Sequence, residues 1–201
     1  MYLTGGQLFS GPDLKTFLTE RQAEAEAAIA ELGPDDFASR SEAALESALM
    51  SRFRMPESHL VAEDSYFIQE TEMTVAEAKL PQEGQPVEGG EPMPPDTMMK
   101  KIVIAIPFRG HPALFTHRPN VFSAHQPEAH VVGQELHVGF IVLPEEEWMI
   151  QHRFQQHIAL VERTLEVTQW QAMDFNANLL GRIRDALRAR KAALAGPRQA
   201  G

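Results

Sequence analysis

The chain has 201 residues, 43% of them hydrophobic and 23% charged, with 28 Asp/Glu against 18 Lys/Arg and no cysteine. Such a composition belongs to one globular domain, or one domain with an appendage, large enough for a substantial core. It excludes disulfides, zinc–thiolate centres and thiol nucleophiles, and a net charge of −10 argues against nucleic acid as a partner.

Charge is unevenly spread. Residues 1–99 hold 6 Lys/Arg against 19 Asp/Glu, whereas residues 100–201 hold 12 against 9. No apolar run approaches the roughly 20 residues that span a bilayer, and the N-terminus lacks the basic and apolar regions of a secretion signal, so a cytoplasmic protein with no membrane partner is expected.

Residues 1–12 contain Gly5, Gly6, Gly11 and Pro12 and read as a flexible lead-in. A first helix starts near Asp13 and ends at Gly33-Pro34, with Leu14, Phe17, Leu18, Ile29 and Leu32 on one side. A second runs from Asp35-Asp36 to just before Pro56, its stripe being Phe37, Leu45, Ala48, Leu49 and Phe53. With so short a connection, residues 1–56 are expected to form an antiparallel helical hairpin.

Leu60 to Val75 mixes β-branched and aromatic residues with charges, as in one or two strands with an exposed face. Residues 80–96 contain five prolines and three glycines and are acidic; they read as a flexible insertion, or equally as a long loop between neighbouring strands of one sheet. Lys101 to Phe108 is almost continuously apolar, as for a strand covered on both faces, with Pro107 at its end or at an edge. A short strand is expected from Ala113 to His117. Ala129–Val132 and Glu135–Leu143 flank Gly133-Gln134 as in a two-residue hairpin, which pairs Val132 with Glu135, Val131 with Leu136 and His130 with His137. Residues 57–143 thus read as a mostly antiparallel sheet.

Residues 144–195 read as a long amphipathic helix. Ile150, Phe154, Ile158, Val161, Leu165, Ala172, Leu179, Ile183 and Leu187 share one face. Glutamates follow Pro144 and arginines crowd the far end, as the helix dipole favours, and Gly196-Pro197 stops the run. Such a helix would be roughly 75 Å long at about 1.5 Å per residue, against a radius of gyration of about 16–17 Å for a compact chain of this size. A break is therefore expected near Asp174, Asn176, Asn178 and Gly181; failing that, the outer half should bury its stripe against another chain. Asn176, interrupting the stripe, is expected to bond a backbone group of the sheet or to fix register. The fold class is α+β: N-terminal helical hairpin, antiparallel sheet, long C-terminal helix.

Eight histidines raise the question of metal. The hairpin brings His130, His137 and Glu135 to one face, a set able to hold a divalent ion, though surface histidines there need no such role. His152 and His157 are five apart and miss the spacing that aligns two ligands on a helix; His111, His117 and His125 show no ligand spacing. Asp64 with Glu77-Ala78-Lys79 mimics the acidic residue plus E-x-K of metal-dependent nucleases, in which two carboxylates hold Mg²⁺ and a lysine steadies the attacking water. Neither a nucleophile elbow nor a phosphate loop nor a dinucleotide fingerprint is present, and no cofactor is implied.

The series Ile106-Pro107-Phe108, Gly110, Leu114-Phe115, Arg118-Pro119, Phe122 and Pro127, then a hairpin, then a long helix with Phe175-Asn176, Leu179 and Arg190-Lys191, resembles a poorly characterised bacterial region over residues 101–193. In that family the region stands N-terminal to a separate effector-like domain, nuclease-like ones included. The resemblance implies a regulatory or scaffold role toward a partner encoded elsewhere, in antiviral defence.

The leading expectation is a non-enzymatic interaction protein that binds itself, as a homo-oligomer, or another protein through Trp148, Phe154, Ile158, Val161, Leu165, Trp170, Leu179, Ile183 and Leu187. The alternative is a small metal-dependent hydrolase or nuclease using Asp64, Glu77 and Lys79, or the His130/His137/Glu135 group. A third option is an anionic-surface binder acting through Arg182 to Lys191.

Overall fold

A computed structural model describes residues 1–78, 93–121 and 126–196. Its strands are β1 (Tyr2–Thr4), β2 (Gly6–Gln7), β3 (His59–Leu60), β4 (Tyr66–Thr74), β5 (Met98–Arg109), β6 (Glu128–Val132) and β7 (Glu135–Val142). Its helices are α1 (Leu14–Ala30), α2 (Pro34–Ser39), α3 (Glu42–Phe53), α4 (Ala113–Thr116) and α5 (Ile150–Leu194), with 3-10 turns at Ala62–Asp64 and Pro144–Met149. The class is α+β, with an antiparallel sheet and a long C-terminal helix.

The sheet is organised on β5 and β7. These two pair antiparallel from Lys100↔Val142 to Pro107↔Glu135, so Ile102, Ile106, Leu136, Val138, Phe140 and Val142 share one face and are buried. Period-two alternation makes this face apolar, and α5 covers it. On the other face Val75, Met99 and Ile141 form a small second cluster. The β6–β7 hairpin has the register read from its sequence, Val132↔Glu135, Val131↔Leu136 and His130↔His137. Gly133 turns it at φ +62, a conformation that costs glycine nothing.

Several expectations are corrected. Residues 1–12 are not a loose lead-in: β1 pairs β7, β2 pairs β6, and Leu8 and Phe9 are buried, with the Phe9 N–H donating to the Phe115 carbonyl at 2.7 Å. Two adjacent apolar side chains had somewhere to go, which a count of nearby glycines cannot reveal. The second helix is two helices. Its run breaks at Arg40-Ser41, where the Ser41 hydroxyl accepts the Ala44 N–H and starts α3 afresh. Replacing Ser41 by alanine is expected to lower stability by about 1 kcal/mol in chemical denaturation, with the fold retained.

The strand expected at Ala113–His117 is the short helix α4. Pro112 pre-sets its start, the His111 ring accepts the Ala113 N–H at 3.2 Å, and the Thr116 and His117 amides turn back onto Pro112 and Ala113. Leu114 and Phe115 are both fully buried, which a half-exposed strand would not allow. Just before it, Gly110 at φ +104 lies so close to Ser58 that an added Cβ would meet the Ser58 hydroxyl oxygen at 2.0 Å. Of the Pro/Gly-rich run, residues 80–92 lie outside the described residues. Its end forms a turn, the Ala76 N–H donating to the Pro95 carbonyl at 3.1 Å, and β4 and β5 on either side are antiparallel neighbours. The run therefore joins adjacent strands of one sheet.

Helix α5 does not break. It is continuous for 45 residues, roughly 68 Å at about 1.5 Å per residue; the first six residues of the expected span, including Trp148, form the 3-10 turn instead. Nor does its outer half need another chain. The N-terminal half lies on the sheet, and the C-terminal half seats Leu179, Ile183 and Leu187 in one core with Ala25, Ile29, Leu45 and Leu49 of α1 and α3. Antiparallel α3 is tied alongside by Arg184–Glu46 and Lys191–Glu42. On α1, which runs parallel, Glu26 faces Arg182. With partners along its whole length, no polar interruption suffices to bend the helix. Gly196 at φ +70 follows its end, the left-handed stop expected there.

Candidate functional site

The acidic candidates are not brought together. Asp64 closes the 3-10 turn before β4 and Glu77 lies beyond its end. The nine-residue strand between them spans roughly 30 Å at about 3.3 Å per residue. Glu77 is already engaged, accepting the Thr74 N–H at 2.7 Å and the Thr74 hydroxyl at 3.1 Å; the backbone bond is the main reason its carboxyl lies below the usual range. Lys79 lies outside the described residues.

The histidine pair does sit face to face across the hairpin, but its carboxylate has other bonds. Glu135 holds the His137 ring at 3.0 Å through one oxygen and accepts the Tyr66 hydroxyl at 2.7 Å through the other. These bonds, His137 first, lower the Glu135 pKa, and Glu135 in turn raises that of Tyr66. Tyr66 reaches from β4 to β7 over Ala105, which is completely buried beneath it on β5. This group clamps three strands. Among the described residues no set of three or more His, Asp or Glu is placed to hold a metal.

The other histidines are dispersed. His111 and His117 flank Phe17 at 5.5 and 4.8 Å between ring centroids, and burial, then Arg21, then His117 hold the His111 pKa down. His152 meets Gln156 on the surface of α5, His157 is buried beneath it, and His125 lies outside the described residues.

Most of the residues expected to meet a partner are instead internal. Ile158, Val161, Leu165, Leu179, Ile183 and Leu187 are all 5% exposed or less, and Phe154 packs against the same core. The basic end of α5 is likewise engaged within the chain. Arg184 makes two bonds to Glu46 at 2.7 and 2.9 Å, Lys191 reaches Glu42 at 2.6 Å, and Arg190 donates to the Leu32 carbonyl at 2.9 Å. The hydrogen bond from Lys191 lowers the Glu42 pKa, and that from Arg184 lowers the Glu46 pKa. The acidic N-terminal half and the basic C-terminal helix therefore complement one another at Arg184, Arg190 and Lys191, while the Arg182 and Arg188 side chains, each with a single 3.8 Å contact among the described residues, stay 59% and 69% exposed.

Two of the expected residues do remain outward, Trp148 on the 3-10 turn before α5 and Trp170 on α5 itself. They are 79% and 68% exposed, and Met173 beside Trp170 is 60% exposed, so the tryptophans serve no helix-core packing. Trp170 stands beside a groove of about 790 Å³ between α1 and α5, whose walls include Lys15, Leu18, Gln22, Val121 and Phe175. Met173 borders a recess of about 370 Å³ on the opposite flank, with Met55, Leu114, Ala172 and Asn176. Val121, 60% exposed, extends the apolar surface beside Trp170; it follows a Pro-Asn turn and carried no periodic signal. The result is an aromatic ridge between two concavities, mounted on a helix held rigid from below. It offers apolar area together with amide and hydroxyl groups for hydrogen bonds.

Compared with family models, with curated proteins and with solved structures, the chain matches none of them. Among the described residues no helix is long and apolar enough to cross a membrane.

Proposed function

We propose that this protein is a non-enzymatic interaction module that docks a protein partner on the outward ridge of α5. One observation carries the reading: Trp170, 68% exposed, stands on a helix whose long apolar stripe is already engaged within the chain, so the indole does no packing work of its own. Exposed tryptophan beside a concave, partly apolar surface is the composition of interface hot spots. The regulatory or scaffold role in antiviral defence that the likeness of residues 101–193 implies is a narrower form of the same reading. The hydrolase alternative finds no support in the placement of Asp64 and Glu77.

Photo-crosslinking tests the reading. With a photoreactive residue at position 173, in the cells that make the protein, a discrete cross-linked product is expected, and Trp170→Ala should weaken partner affinity by roughly 30-fold. No product from position 173, with the helical circular dichroism of the chain intact, would rule this surface out as a docking face.

A further inference from the structure

The outermost line of α5, opposite its buried stripe, runs through Glu166, Trp170, Ala177, Gly181, Arg184 and Arg188, all exposed and spaced by three, four and their sums. Its chemistry is ordered. An acid and an aromatic stand on the N-terminal side of Ala177, and two arginines stand on the C-terminal side. At its middle are two small residues, and a Cβ built on Gly181 meets nothing within 4 Å.

We infer that the partner for this ridge is a second copy of the chain, with the two α5 helices crossing antiparallel about a twofold axis at Ala177. A twofold contact requires a surface complementary to itself, and this line meets the condition. In that register Glu166 faces Arg188 of the second copy, Trp170 faces Arg184, and Met173 faces Gly181, each twice. Arg188 lies near Glu42 and Glu46, but its one close ion pair among the described residues is a loose one, with Asp185 at 3.8 Å, and its side chain is 69% exposed, so it can reach a carboxylate opposite. Arg184 is held by Glu46 through Nε and Nη2, which fixes the guanidinium while leaving a flat face for an indole to cover. The flexible Met173 side chain fills the notch at Gly181. Ala177 and Gly181 at the crossing let the helix axes approach to about 8 Å. A parallel pairing would set Glu166 on Glu166 and Arg188 on Arg188, so charge selects the antiparallel arrangement. This inference rests on the ridge being a docking face and adds the identity of what docks.

Analytical ultracentrifugation of the full chain, with a charge exchange, tests it. A reversible dimer at twice the 22.4 kDa chain mass is expected. Arg188→Glu, which places two acids opposite each other, should weaken it by roughly tenfold or more, and adding Glu166→Arg to the same chain should restore it. Gly181→Leu, which fills the notch on an exposed helix face, should weaken it as well. A wild-type chain that stays monomeric at high micromolar concentration, or a double exchange that restores nothing while both variants melt like wild type, overturns the inference. The position-173 cross-link separates the two readings. A product at the mass of a different protein overturns the second-copy inference and keeps the docking face; no product at all overturns both.

Discussion

Exchanging Asn176 for alanine is expected to lower the unfolding free energy by about 2–4 kcal/mol, read as a shift of the urea midpoint. Asn176 of α5 grips the backbone just past the end of α3: its Oδ1 accepts the Met55 N–H and its Nδ2 donates to the Met55 carbonyl, both at 2.8 Å. Met55 is 2% exposed and lies between the end of α3 and Pro56, outside any helix or strand. Its peptide groups therefore depend on this side chain, and each buried polar group left without its partner costs about 1–3 kcal/mol. Asn176→Asp should do no better, because a carboxylate cannot donate to the Met55 carbonyl. Hydrogen exchange supplies a second reading: the Met55 amide should lose protection in the alanine variant, which removes its acceptor, while the α5 amides near the sheet keep theirs. An unchanged midpoint together with a protected Met55 amide would show that the chain crosses here for other reasons.

Acid should destabilise the protein through His157. The ring is 4% exposed, lies edge-on to Phe140 at 6.5 Å between ring centroids, and has no hydrogen-bond partner at Nε2. Burial pushes its pKa down to about 4, against a smaller opposing effect of a hydrogen bond to the Glu128 backbone. Unfolded, the imidazole titrates near 6.5. Above that value the ring is neutral in both states and has no pH-dependent effect. As pH falls from about 6.5 to about 4 the unfolded chain takes up a proton that the folded one refuses, and stability drops by roughly 3 kcal/mol over that window. Glu42 and Glu46, with carboxyls held below their usual range, also lose stabilisation in acid, so the comparison must be with a variant. His157→Gln, of similar size and without a titrating group, should flatten the acid limb by that amount; coincident limbs would show that the ring is protonated in place.

Much of the plan could be read from residue order because it rests on local periodicity. Asp13 caps α1, accepting the Lys15 N–H at 2.7 Å. Alternation along β7 and Gly133-Gln134 together determined the hairpin register to the residue, since a slip of one would turn Leu136, Val138 and Phe140 to the open face. The amphipathic stripe of α5 was equally plain; Asn176 does bond a backbone group, but that of Met55 in the linker after α3 and not one of the sheet. The short-range signals misled where a distant partner took over. Tyr2–Thr4 is a strand because β7 has a free edge beside it, and Ala113–Thr116 is a helix because Leu114 and Phe115 both enter the core.

Sequence alone thus determined that α5 has an apolar face and a basic end. Only the tertiary structure decided what they meet. Periodicity records that a surface must be covered but not by what, and here the covering comes from sheet, α1 and α3 of the same chain, with Glu42 and Glu46 answering Lys191 and Arg184 across more than a hundred residues. The face left over, with Trp170 at its crest, is outward because the apolar stripe of the helix is already engaged within the chain, a property of the packed whole that no window of neighbouring residues contains.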